Sequence, residues 1–278
     1  CKKNTSRKKM SQKLLPVIKW SGSKRSQALK IVKLFPNFEK YYEPFLGGGS
    51  VLIQSKAKSA ICGDVCKPLI DFWNLIKTNP SKLVREYESR WQKLQDEGYM
   101  AYYHIRDNFN QNQNPYDLLF LSRTCVNGLI RFNAKGEFNN SLHYTRKGIQ
   151  PSTLEKIIFQ WSDLIQNCKF VYGNYTETTK KITSKDFVYL DPPYFNTIGR
   201  YYGKIIHDDF INYLEELNSK NIKFVLSFDG QRGTKKYSGN LPKKLFKRHL
   251  LLESGNSSFK KVIDKKIESV KESIYLNF

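Results

Sequence analysis

The chain has 278 residues, enough to bury a sizeable core as one large domain or as one domain with an insertion. Its formal net charge of +22, from 47 Lys+Arg against 25 Asp+Glu, calls for a polyanionic partner, with nucleic acid ahead of an anionic membrane. No apolar run is long enough to span a membrane and no signal-peptide pattern follows the basic start. The five scattered cysteines (Cys1, Cys62, Cys66, Cys125, Cys168) argue against a disulfide framework and lack the paired spacing of a zinc site, so they read as reduced thiols of a cytoplasmic protein.

The charged start, residues 1–9, is expected to fray, and the missing initiator methionine suggests a trimmed chain. Val17–Trp20 then leads into the turn Ser21-Gly22-Ser23-Lys24-Arg25, followed by Leu29, Ile31, Val32, Leu34 and Phe35 at helical spacing. Backbone amides and positive charge at such a turn suit an anion or a carboxylate; an ordinary solvated helix start is the plainer alternative. Tyr41-Tyr42-Glu43-Pro44-Phe45 reads as a strand that runs into Gly47-Gly48-Gly49 and then into the helical run Val51–Ile53. The glycines let a ligand approach the backbone. Neither a Gly-Lys-Ser/Thr ending nor Gly-x-Gly-x-x-Gly is present, which leaves nucleotide-like cofactors without a pyrophosphate, S-adenosylmethionine foremost. Ser59–Val65 is a second strand. It carries Asp64 near its end, where an acid in a Rossmann-like sheet bonds ribose hydroxyls.

From Leu69 to about Lys169 the pattern becomes helical: Leu69, Phe72, Trp73 and Ile76; Leu83, Tyr87 and Trp91; Leu118, Leu119, Leu121 and Ser122. Asn110–Pro115 reads as a polar link. Within this stretch the turn dipeptides Asn127-Gly128 and Lys135-Gly136 bracket aromatic and basic residues, predicting a hairpin at about 124–142 that can enter a groove. Asn127 and Arg131 are of the types that read adenine and guanine edges. Lys169–Tyr175 returns to the sheet, with Asn174 or Tyr175 placed to meet a cofactor's adenine.

The strand Asp186–Leu190 ends at Asp191-Pro192-Pro193-Tyr194. A carboxylate, a rigid proline pair and an aromatic face suit the exocyclic amine of a planar base: acceptors draw on its N–H groups and the ring stacks. A helix over Phe210–Leu217 and a strand over Lys223–Gly230 follow. Between Arg232 and Lys271 twelve Lys/Arg face three acids, a density suited to phosphate contacts, and Glu272–Phe278 reads as a final strand.

These segments, in order, are Lys19-Trp20-x-Gly22-x-Lys24, Glu43-Pro44-Phe45-x-Gly47-x-Gly49-Ser50, the strand-ending Asp64, Asn127-Gly128-Leu129-x-Arg131-x-Asn133 with Gly136-x-Phe138-Asn139, and Asp191-Pro192-Pro193-Tyr194. Together they resemble the Dam-type (D12 class) DNA adenine-N6 methyltransferases over nearly the whole chain. The resemblance implies an α/β, Rossmann-like S-adenosylmethionine-dependent methyltransferase sheet, formed by 1–68 and 170–278, with a helical target-recognition insertion at 69–169. It implies S-adenosylmethionine contacts from Trp20, Lys24, Pro44, Phe45, Gly47, Gly49, Asp64 and Asp191. Catalysis would fall to Asp191, Pro192, Pro193 and Tyr194, and DNA contacts to Asn127, Arg131, Asn133 and Asn139, with no metal. The implied setting is a monomer acting on double-stranded DNA in the cytoplasm of a bacterial, archaeal or phage-infected cell, alone or beside a cognate restriction endonuclease. Cytosine-N4 methylation and a catalytically silent DNA-binding subunit are the rival readings. Val126 stands where Dam has a wedging tyrosine, and Asn140-Ser141-Leu142-His143 replaces its Val-Pro-Phe-Gly, so the recognition sequence does not carry over.

Overall fold

Short aromatic and β-branched runs bounded by Gly, Pro and Asp make the strands, and proline- or asparagine-led amphipathic runs make the helices. The computed structural model describes residues 14–133, 135–193, 206–232, 235–236, 241–256 and 269–278. In chain order they form α1 (Ala28–Val32), β1 (Tyr41–Glu43), α2 (Ser50–Ser55), β2 (Ala60–Asp64), α3 (Lys67–Thr78), α4 (Pro80–Glu97), α5 (Tyr99–Asn112), α6 (Pro115–Thr124), α7 (Pro151–Leu164) and β3 (Cys168–Tyr172). Then come α8 (Tyr175–Thr179), β4 (Phe187–Leu190), α9 (His207–Ser219), β5 (Lys223–Arg232), β6 (Lys235–Lys236), β7 (Arg248–Asn256) and β8 (Ser269–Leu276).

The strands pair in the order β3-β2-β1-β4-β5-β8-β7, with β6 appended to β5. β1 to β5 are parallel, while β8 runs antiparallel to both β5 and β7. This is a mixed α/β, Rossmann-like sheet. Strand order reverses between β1 and β4, and open α/β sheets bind ligands outside the carboxyl ends at that point. The period of two sorts the core. Tyr41, Phe187, Tyr189, Val225 and Ile274 face one layer; Tyr42, Val188, Leu190, Phe224, Leu226 and Tyr275 face the other, which packs on α9. Both faces are covered, so the parallel strands read as continuous apolar runs.

Helices α3 to α7 all lie between β2 and β3 in the chain. Asn79 and Asn114 cap α4 and α6, accepting the amides of Lys82 at 3.2 Å and Tyr116 at 2.9 Å, and a proline opens each helix. Their core is continuous with one sheet face: Trp73 stacks on Phe170 at 5.8 Å and meets Trp161 at 5.2 Å. Three local expectations differ. α1 stops at Val32 because Pro36 disfavours a helical Phe35. α5 continues through Asn112, so the polar link shrinks to Gln113 and Asn114, with Gln113 at φ +52° ending the helix. β7 arises inside the basic run. Among the described residues no helix is long and apolar enough to cross a membrane.

Candidate active site

A cleft opens where the strand order reverses. Its walls come from Trp20–Lys24, from residues of the Glu43–Val51 stretch, from Asp64 and Val65 facing Asn174 and Tyr175, and from Asp191–Pro193. Of the predicted cofactor set, Trp20, Lys24, Phe45, Gly47, Asp64 and Asp191 line it. Pro44 and Gly49 stand behind the wall. Pro44 is buried, and a Cβ on Gly49 would meet Trp73 Cη2 at 3.0 Å. Pro192 and Pro193 are in the lining; Tyr194 lies outside the described residues.

The glycine loop is fixed by its surroundings. Gly47 adopts φ +49°, and a Cβ there would sit 2.7 Å from Trp20 Cδ1. Its amide donates to Asp64 Oδ2 at 3.1 Å, while Trp73 Nε1 donates to its carbonyl at 3.1 Å. Asp64 Oδ1 accepts from the Cys66 amide at 3.0 Å, so this acid ties the loop to the end of β2. Burial pushes its carboxyl up to about 6 against the pull of these amides.

Asp191 follows β4 and meets Lys24, whose Nζ lies 2.9 Å from Oδ1. The same ammonium lies 2.5 Å from Glu272 Oε1 on β8, and Ser227 Oγ on β5 donates to that oxygen at 2.7 Å. Burial raises the Asp191 carboxyl to about 7; Lys24 opposes the rise and Glu272 adds to it. Glu43 lines the same end of the cleft at 2% exposure, with the Tyr41 hydroxyl donating to its Oε2 at 2.7 Å. Burial raises it to about 8, the Tyr41 bond opposing and the charge of Asp191 adding. The sequence reading singles out none of Glu43, Ser227 and Glu272 as site residues. A local signal, an acid at the end of an apolar strand, is present for Glu43 only; Glu272 precedes the apolar part of its strand.

The 124–142 segment is closed by two antiparallel bridges, Cys125–Leu142 and Phe132–Phe138, rather than by a continuous ladder. Asn140 Nδ2 donates to the carbonyls of Val126 and Leu129, both at 2.9 Å, and pins the turn in which Asn127 takes φ +57°. Phe132 and Phe138 are buried edge to face at 6.1 Å. Asn127, Arg131 and Asn139 are exposed. Asn133 is engaged within its own turn: Oδ1 accepts the amides of Lys135 and Glu137, both at 2.9 Å, and Nδ2 donates to Glu137 Oε2 at 2.7 Å. This segment touches the cleft wall through Ser21 Oγ, which donates to the Ile130 carbonyl at 2.9 Å, and through Lys19, packed on Gly128. Arg123, also unpredicted, donates to the carbonyls of Pro16 and Val17 and so holds the segment leading to Trp20.

Residues 20–265 match the sequence profile of the D12 class N6 adenine-specific DNA methyltransferase family. Among curated proteins, the type II methyltransferase M.MjaIII of Methanocaldococcus jannaschii is 33% identical over 200 residues, covering 64% of this chain and 68% of that protein. The DNA adenine methylase of Vibrio cholerae is 32% identical over 181 residues, with 64% of each chain covered. The modification methylase StsI of Streptococcus sanguinis is 31% identical over 228 residues, 76% of this chain but 34% of that longer protein. The match thus spans about two thirds of the length of the first two relatives.

Proposed function

The chain belongs to the D12 class N6 adenine-specific DNA methyltransferase family, and from that premise we propose that it transfers a methyl group from S-adenosylmethionine to the N6 amine of an adenine within a short duplex DNA sequence. The names of its relatives, adenine methylase, type II methyltransferase and modification methylase, support either a stand-alone or a restriction-paired role. The observation that carries the reading is Asp191, held by Lys24 at the switch point of the sheet and facing a glycine-walled cleft.

The cleft suits S-adenosylmethionine. With Glu43 held largely protonated, its charged lining is Lys24 against Asp64 and Asp191, an acidic excess that favours a ligand bearing a sulfonium and an α-ammonium. The Gly47 position, which a Cβ would fill, leaves Trp20 against the backbone as a flat wall. When bound, the donor supplies an electrophilic methyl group. The chain's residues then act on the amine. Two successive prolines have no N–H, so Asp191–Pro193 offers the cleft acceptors without competing backbone donors at 192 and 193. With Asp191 Oδ1 committed to Lys24, Oδ2 takes one amine N–H, and the Pro192 carbonyl takes the other. These bonds return electron density to a nitrogen otherwise delocalised into the ring, and they orient its attack. The raised affinity of Asp191 for a proton lets it hold the one released as the N–C bond forms. Extrusion of the base costs a few kcal/mol, offset by stacking in the pocket and by phosphate contacts of the basic surface.

The test is transfer of labelled methyl from S-adenosylmethionine to unmethylated DNA, with modified positions mapped and Asp191→Ala run alongside. N6-methyladenine at one short motif is expected, with turnover abolished in the variant and DNA binding largely kept. Label on cytosine overturns the base assignment; normal turnover by Asp191→Ala overturns the mechanism.

A further inference from the structure

Asp191, Ser227 and Glu272 belong to one face of three neighbouring strands. Along β4 that face carries Phe187 and Tyr189, and the period of two extends it to Asp191. β5 supplies Val225 and then Ser227; β8 supplies Leu276, Ile274 and then Glu272. The layer is apolar until it reaches the cleft, where it becomes charged. Pairing also changes there. Ser227 is opposite Ile274 but Gly230 is opposite Glu272, so β5 accommodates an extra residue beside the cluster. Such bulges bend a strand and re-aim side chains.

The cluster holds one ammonium between two carboxylates. Lys24 is 9% exposed, Glu272 5% and Ser227 fully buried. Withdrawing each ion from water costs several kcal/mol, and a lone Lys24–Asp191 pair would already be neutral. Stability therefore does not call for the second carboxylate. The chemistry does. An ammonium paired with Asp191 alone would draw on its charge fully and weaken its hold on a substrate N–H. Resting on the reading that Asp191 accepts the adenine amine, we propose that Glu272 is a positioning residue for methyl transfer. It holds the Lys24 ammonium together with Asp191 and shares its charge, which keeps Asp191 oriented and a strong acceptor. Ser227 orients Glu272 for this purpose.

Among the described residues, the groups facing Asp191 are Lys24 from the N-terminal turn, Glu272 from β8, the Tyr189 phenol from β4 and Glu43 from β1. Burial raises both Tyr189 and Glu43, which keeps them mostly neutral at pH 7, so Lys24 and Glu272 set the field at Asp191.

Glu272→Gln retains a carboxamide oxygen for Lys24 and Ser227 and removes only the charge. We expect kcat to fall ~10- to 100-fold, with KM for S-adenosylmethionine and DNA held within ~3-fold. The acid limb of the kcat–pH profile should move down by about one pH unit, because the negative charge of Glu272 no longer acts on Asp191. The same downward shift should appear in a ¹³C-carboxyl NMR titration of Asp191 in the ligand-free protein, assigned through Asp191→Asn. Reduced kcat with an unmoved Asp191 midpoint would mean a merely structural role and overturns the proposal, as does a variant matching the wild type. Should Glu272→Gln not fold, Ser227→Ala must show a smaller shift of the same sign, and no shift overturns the proposal. If the wild-type chain methylates no adenine while the midpoint still moves, the functional reading fails and the charge sharing stands.

Discussion

In the cleft, the acids are held. Asp64 accepts two backbone amides, Glu43 accepts the Tyr41 hydroxyl, and Asp191 meets Lys24. In the 124–142 segment the held polar side chains, Asn133 and Asn140, serve the backbone, and Asn127, Arg131 and Asn139 stand exposed on the frame so made. The contrast fits the roles proposed for the two regions. Polarising an amine requires acceptors that do not reorganise, in a place that water does not dominate. Reading a base edge requires donors that reach outward from a backbone already in position. Ser21 and Lys19 bridge the two regions, so the cleft wall and the 124–142 segment share a border.

Two glycines with similar backbones sharpen the comparison and carry the largest effect after loss of Asp191. Gly47 and Gly136 both have positive φ, +49° and +79°. Alanine at either should cost roughly 1–2 kcal/mol in backbone strain. At Gly47 the added methyl also lands 2.7 Å from Trp20, whereas nothing lies within 4 Å at Gly136. Gly47→Ala should therefore lose about 2–4 kcal/mol in denaturant unfolding and bind S-adenosylmethionine at least ~10-fold more weakly by calorimetry. Gly136→Ala should leave cofactor affinity at the wild-type value. Equal cofactor binding by the two variants would show that the Gly47–Trp20 contact does not shape the cofactor site.

A smaller effect separates exposed from engaged residues within the 124–142 segment, on the proposal that it reads DNA. Arg131→Ala should cost about 1–3 kcal/mol of specific DNA binding and relax the preference at one base position. Asn133→Ala, which removes a turn brace and no outward group, should weaken all sequences alike. Binding to a panel of single-base variants of the mapped motif distinguishes these patterns. A one-position effect from Asn133→Ala would mean that the turn opens on DNA and releases its carboxamide.

What could be read from the sequence has a physical pattern. β4 and its Asp-Pro-Pro ending, the glycine turn after β1 and Asp64 at the end of β2 are local signals, each written in a few adjacent residues. Glu272 and Ser227 act across 45 residues through a strand pairing with an irregular register, which no local pattern encodes. The bracing role of Asn140 has no local signal, because its two acceptor carbonyls lie 11 and 14 residues away. β7 was hidden by charge and by a run of three leucines. Leu250 and Leu252 pack on the core while Leu251 is 48% exposed, an alternation that identical residues cannot display.

The last expected effect acts on the fold rather than on binding and concerns protons. Glu43, ordinarily near 4.5, is raised to about 8, and Asp64 to about 6, chiefly by burial. Between about pH 4.5 and 8 the folded chain holds a Glu43 proton that the unfolded chain has released. The associated stability is complete below the unfolded value and lost as pH rises through the folded one. Thermal unfolding of the ligand-free protein should then occur at lower temperature at pH 8.5 than at pH 5, and Glu43→Gln should flatten that slope. Asn127→Ala and Asn139→Ala in the 124–142 segment, which remove no ionisable group, should leave the slope unchanged. Catalysis runs the other way, because Asp191 must be ionised to accept the amine, so kcat should fall as pH drops through about 7. An unaltered slope in Glu43→Gln would mean that this carboxyl is charged in the fold and that its charge is compensated from within the cleft.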